Sequence, residues 1–208
     1  MNGKSEVEMY ESQGLQYIEP EMREGTFEIH LAEKKELPKL VEMNDLKGIL
    51  HNHSTYSDGK HTLRQMAEHC KALGYEYLGI SDHSQTAVYA SGLYEYTVKE
   101  QQEEIKKLNA ELAPFKVFSG IESDILADGS LDYPEEILAS FDFIVASVHS
   151  GLNMDINKAT NRLLSAIRNP YTTILGHMTG RLLLEREGYP VDHKEIIDAC
   201  AENKRKSI

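Results

Sequence analysis

Short apolar runs alternate with amphipathic stretches from Gly48 onward, and each run ends on polar chemistry. Gly48-Ile49-Leu50 leads to His51-Asn52-His53, and Gly79-Ile80 leads to Ser81-Asp82-His83. Phe118-Ser119-Gly120-Ile121 ends on Glu122, Ile144-Val145-Ala146-Ser147-Val148 on His149, and Thr173-Ile174-Leu175-Gly176 on His177. The runs read as strands over 48–53, 75–83, 116–125, 141–150 and 172–178, with a sixth possible start at Ser207-Ile208. Their near-continuous apolar character fits strands covered on both faces. Helices are expected between them. Thr62 caps one running to about Gly74, with Leu63, Met66, Ala67, Cys70 and Leu73 inward. Others span about Tyr94–Leu112, a short piece after Tyr133-Pro134, Asp155–Arg168, a stretch near 181–187, and Asp192–Asn203. Strand–helix alternation implies parallel pairing, so the strand ends gather at one edge of a sheet or barrel.

Residues 1–47 lack this rhythm. They are acidic and polar, Pro20 and Pro38 interrupt them, and they read as an extended arm or linker with at most a short helix before Leu37-Pro38. Residues 48–208 then form one domain with a real core.

Lys plus Arg is 22 against 34 for Asp plus Glu, a formal net charge of −12. That opposes a broad grip on a nucleic-acid backbone, which depends on phosphate neutralisation. It leaves room for a phosphate substrate at bound divalent cations, whose charge dominates their surroundings. No run is long enough to span a membrane and no apolar leader opens the chain, so a cytoplasmic location is expected. Cys70 and Cys200 fall on predicted helices without CxxC spacing and read as buried reduced thiols.

A His-x-His pair is a weak signal, since nine histidines in 208 residues give about 0.4 by chance. The apolar strand around His51 and His53 strengthens it, because alternate strand residues share a face and two buried imidazoles need partners. Asp58, in Ser57-Asp58-Gly59, reads on its own first as a turn residue, and its closeness to that pair raises the reading as a carboxylate ligand. His83 is favoured as a ligand over Asp82, which fits a supporting role. Glu122 can bridge two cations through its two oxygens. Asp124 shares its strand face but reads first as a solvated carboxylate near a loop. Arg181, just past Thr179-Gly180, is a surface arginine by default and a phosphate clamp by position. No Walker loop, GxSxG elbow or Rossmann fingerprint occurs.

Taken together, His51-Asn52-His53-Ser54-Thr55-Tyr56-Ser57-Asp58-Gly59, Ser81-Asp82-His83, Gly120-Ile121-Glu122, Ser147-Val148-His149 and Gly176-His177 resemble the polymerase-and-histidinol-phosphatase (PHP) family over about residues 45–208. The resemblance implies an α/β fold, a distorted (β/α)7 barrel incomplete at its C-terminus, with up to three divalent ions (zinc, manganese or iron). By motif, His51, His53 and Glu122 would hold the first; Glu122, His149 and His177 the second; Asp58 and His83 the third. Glu122, His83 and Asp58 are the residues it ties most directly to catalysis. The family's final Asp-x-His is absent from this chain, which leaves the first and third sets short of a ligand, and Met178 stands where a proline is common. Tyr17-Ile18-Glu19-Pro20-Glu21-Met22-Arg23-Glu24, Leu37-Pro38-Lys39-Leu40-Val41 and Gly176–Tyr189 are similar to the connector and PHP module of family X DNA polymerases. That likeness implies 3′–5′ exonuclease or end-processing chemistry on a DNA 3′ end, with a polymerase module covalently linked. A histidinol-phosphate-type phosphatase acting on a small monoester is the enzymatic alternative, and a silent structural module the non-enzymatic one. An unclosed barrel would expose a sheet edge and favour self-association.

Overall fold

The computed structural model describes residues 5–182, 184–203 and 206–207. The chain divides into two compact units, Met1–Asp45 and Leu46–Ile208. The first holds helices α1 (Glu6–Ser12) and α2 (Glu28–Lys34), with Ile18 and Ala32 buried. Gln16 N–H donates to the Ala32 carbonyl, and the Arg23 guanidinium donates to the Ile18 carbonyl and to Glu6. The expected extended arm is therefore locally folded. Helix α2 stands where a short helix is expected. Helix α1 buries no residue, so no apolar period announces it, and Ser5 starts it by accepting from Glu8 N–H.

The second unit runs β1 (Gly48–Ile49), α3 (Leu63–Ala72), β2 (Tyr77–Ile80), α4 (Glu95–Leu112), β3 (Lys116–Asp124), α5 (Glu135–Leu138), β4 (Phe143–Ser147), α6 (Ile156–Arg168), β5 (Ile174–Leu175), α7 (His193–Glu202) and β6 (Lys206–Ser207). All neighbouring strands pair in parallel, in the order β1-β2-β3-β4-β5-β6, as a curled α/β half-barrel. Sequential parallel order follows when each strand returns through a helix to the same edge. The sixth strand includes Ser207, as expected, while Ile208 lies outside the described residues.

Leu78, Ile80, Val117, Ile121, Ile144, Val145 and Leu175 are buried along the strands. Helix α3 begins at a full capping box between Thr62 and Gln65, and buries Leu63, Ala67 and Cys70. Leu73 was expected inward but sits at the helix's C-cap, exposed. Gly120 makes room for Phe143: a Cβ there would lie 2.3 Å from the Phe143 ring and 2.7 Å from the Ile80 carbonyl. Cys70 and Cys200 are buried free thiols.

Two expectations fail locally. The first strand stops at Ile49, because His51 adopts φ 59° in the left-handed region and turns the chain out of the sheet. The stretch near 181–187 is a turn, not a helix. Leu182 and Arg186 pair across it, Leu184 takes φ 65°, and the Arg186 guanidinium holds the Gly180 carbonyl with two hydrogen bonds. Leu183 lies outside the described residues. No helix among the described residues is long and apolar enough to cross a membrane.

Candidate metal centre

Strand β3 is the longest in the sheet and lies between β2 and β4, so Glu122 near its carboxyl end is flanked from both sides. Its side chain is 2% exposed, yet five imidazoles reach it. Oε1 lies 2.8 Å from His51 Nε2, 2.9 Å from His177 Nε2 and 3.2 Å from His149 Nε2. Oε2 lies 3.2 Å from His83 Nδ1 and 3.4 Å from His53 Nε2. Asp58 approaches from the side, 3.3 Å from His53 Nδ1 and 3.8 Å from His83 Nε2. Among the described residues, three donor sets each gather within 4.8 Å: His51–Glu122–His177, His53–Asp58–His83 and His83–Glu122–His149.

The donors fit divalent cations better than they fit one another. His53 Nδ1 and His83 Nδ1 are buried and close to carboxylate oxygens, but neither makes a properly angled hydrogen bond. Unpaired buried nitrogens cost free energy, whereas imidazole lone pairs beside carboxylates are what zinc, manganese or iron accept.

Two buried carboxylates shape the site from behind. Asp82 is fully buried and accepts from Ser54 N–H (2.7 Å), Ser54 Oγ (2.7 Å), Ser57 N–H (3.2 Å), Ser57 Oγ (2.6 Å) and Gln101 Nε2 (2.7 Å). It thereby clamps the loop carrying His53 and Asp58, in the supporting role expected of it. Asp124 departs from expectation. It is 4% exposed, not solvated, and its Oδ1 lies 2.5 Å from His149 Nδ1. That contact turns His149 Nε2 toward Glu122, and Thr86 Oγ1 lies 3.1 Å from the other Asp124 oxygen. A carboxylate behind a ligating histidine fixes its tautomer and orientation.

Burial pushes the Glu122 carboxyl up, but hydrogen bonds from His149, His177 and His51 overcome it and hold the group far below the ordinary range. Burial opposes charge on His149 too, yet Asp124 and Glu122 raise it to about 9. His83 is lowered by burial, partly offset by Glu122.

All seven expected ligands thus converge: His51 and His53 both reach Glu122, as do His149 and His177, and the donor sets that gather add pairings to those implied by the resemblance. His53 gathers with Asp58 and His83, and His177 gathers with His51. His51 and His53 converge from a loop and not from alternate strand positions; their ring centroids are 6.1 Å apart. Arg181 is exposed and forms no ion pair with the cluster among the described residues. Asp124 was visible as an alternate residue on Glu122's strand face. Nothing in the sequence marked Thr86 or Gln101, and Ser57 appeared only as part of a motif, because loop and helix neighbours become visible only once the chain folds.

A family profile described as the PHP domain matches residues 50–205. The chain is 42% identical over 194 residues to the DNA polymerase/3′-5′ exonuclease PolX of Bacillus subtilis, covering 93% of this chain and 34% of that protein. It is 31% identical over 160 residues to a protein of Clostridium acetobutylicum named "Probable phosphatase", covering 74% of this chain and 59% of the relative. The structure of histidinol phosphate phosphatase from Lactococcus lactis, complexed with zinc, L-histidinol and phosphate, superposes with a TM-score of 0.56 at 22% identity, covering 77% of this chain and 72% of that one. The last is a likeness of fold. The chain spans about a third of the polymerase and about three fifths of the phosphatase.

Proposed function

Because the chain belongs to the PHP domain family, we propose that residues 48–208 act as a metal-dependent phosphoester hydrolase working on DNA 3′ ends. The observation that carries this reading is the convergence of five imidazoles on one buried carboxylate. Divalent cations bound there supply Lewis acidity and lower the pKa of water toward neutrality. Glu122 stays ionised and offers one oxygen to each side of the cluster. Asp124 keeps His149 Nε2 aimed inward, and Asp82 keeps His53 and Asp58 in place. Zinc, manganese and iron all suit this donor set, and three donor sets accommodate up to three ions. Arg181, outside the cluster, enters only as a group that a phosphate would recruit from solvent.

Residues 1–47 fit a connector from a covalently linked polymerase module, by their likeness to the Bacillus subtilis relative. In the protein carrying that module, Mn²⁺-dependent release of nucleotides from a DNA 3′ end is expected. Unchanged release after combining Glu122→Gln with His149→Ala sinks the reading. A small-monoester phosphatase is the second reading, favoured by the net charge of −12 and by the phosphatase relatives. Turnover of histidinol phosphate without release from DNA selects it. Light scattering tests self-association of a sheet whose edges are β1 and β6.

A further inference from the structure

The segment between His83 and Leu93 leaves the cluster and returns to it. Leu93 N–H donates to the His83 carbonyl at 2.8 Å, and Ser84 N–H donates to the Glu122 carbonyl at 3.0 Å. The two ends press together so closely that a Cβ on Gly92 would lie 1.8 Å from the Ser84 carbonyl. Asp132 fastens the near side, accepting from Thr86 N–H at 2.7 Å and Thr86 Oγ1 at 2.8 Å, while its carbonyl accepts from Gln85 Nε2. The Tyr133 hydroxyl fastens the far side through the Leu93 carbonyl. Ala87, Ala90 and Leu93 are buried, each 2% exposed or less.

At the tip of this anchored loop the pattern inverts. Val88 is 74% exposed and Tyr89 71%. The Tyr89 ring stands edge-on to two imidazoles of the cluster, its centroid 5.9 Å from His83 and 6.5 Å from His149. The structure therefore places a large aromatic ring, mostly in solvent, at the rim of the imidazole–carboxylate cluster. Burial of the small residues around it explains the loop's shape but not the ring's outward position. No lysine or arginine ion-pairs with Glu122, Asp124 or Asp58 among the described residues, whereas Tyr89 is a large exposed side chain set against two of the cluster's imidazoles.

We propose that Tyr89 is the platform on which the base of the 3′-terminal nucleotide stacks while its phosphate occupies the Glu122 cluster. This deepens the proposed function and rests on it. Aromatic side chains hold bases through their faces with little regard for sequence, and a ring on an already ordered loop loses little freedom on binding.

Calorimetry on the Mn²⁺-loaded full chain tests the assignment with thymidine 5′-monophosphate and 2-deoxyribose 5-phosphate, which share phosphate and sugar and differ by the base. The nucleotide is expected to bind more tightly. Tyr89→Ala should weaken it roughly tenfold, the scale of one stacked base, and leave the sugar phosphate unchanged. Tyr89→Phe should keep wild-type binding of both. Equal affinity of the two ligands, no measurable binding, equal loss on both in Tyr89→Ala, no loss, or a loss in Tyr89→Phe overturns the platform. Hydrolysis is scored separately: base-dependent binding without release from DNA ends refutes the catalytic reading and leaves the platform standing.

Discussion

His149 and His51 both reach the same oxygen of Glu122, yet the chain supports them very differently. His149 follows a five-residue strand that is buried throughout and is aimed by Asp124. His51 follows a two-residue strand, adopts a left-handed backbone, and among the described residues pairs with no carboxylate but Glu122. His177, its neighbour in one donor set, also follows a two-residue strand and has 42% of its side chain exposed. The centre of the sheet is preorganised, whereas its flanks hold strained or open ligands. Strain and exposure concentrate where function, and not packing, decides the conformation.

The largest effect should come from the one residue shared by both regions. Glu122→Gln should lower any phosphoester turnover by at least about 10²–10³-fold, the scale of losing one preorganised transition-state contact. Elemental analysis should show fewer tightly held ions. A variant with unchanged metal content would erase the distinction between centre and flank. Asp124→Asn tests the centre alone: metal affinity should fall roughly 10–100-fold, as when a carboxylate behind a ligating histidine is removed.

Protons sharpen the same contrast. In the metal-free chain His149 is raised to about 9, so it is charged at neutral pH and an incoming cation must displace its proton. Calorimetry in buffers of different ionisation enthalpy should show proton release near pH 7.5 that disappears above about pH 9 to 10. The sign for stability is fixed by the same shift. His149's contribution is complete below its unfolded value and is lost as pH rises through about 9, so the metal-free chain should melt lower at pH 9.5 than at pH 6.5.

The smallest effect belongs to the flank. Replacing the left-handed His51 by glycine relieves a backbone cost of about 1 kcal/mol or more, so the metal-free melting temperature should rise by about 2–4 °C while metal binding weakens. A fall in melting temperature would show that the His51–Glu122 contact outweighs the relieved backbone cost.

This contrast also explains what the sequence could reveal. The central strands were legible because their apolar runs are continuous and end on ligands, and the seven donors were visible as residue types at those ends. The meeting of His53 with Asp58 and His83 was not, since it follows only after the chain turns at His51. Asp124 looked solvated because it precedes a turn, and only burial beside His149 gives it a role. The 181–187 stretch has helical composition, but the Arg186 guanidinium on the Gly180 carbonyl selects a turn, a contact no local pattern encodes.

Asp82 has a consequence on the time axis. Four of its five hydrogen bonds hold the loop 54–57 by backbone as well as hydroxyl groups, and the fifth ties it to Gln101 on α4. The Ser54 and Ser57 amides should therefore exchange with solvent deuterium on the schedule of the β-strands and not of the surrounding turns. Cations could then leave and return many times before this loop opens once, so the protein would keep the shape of its site between occupancies.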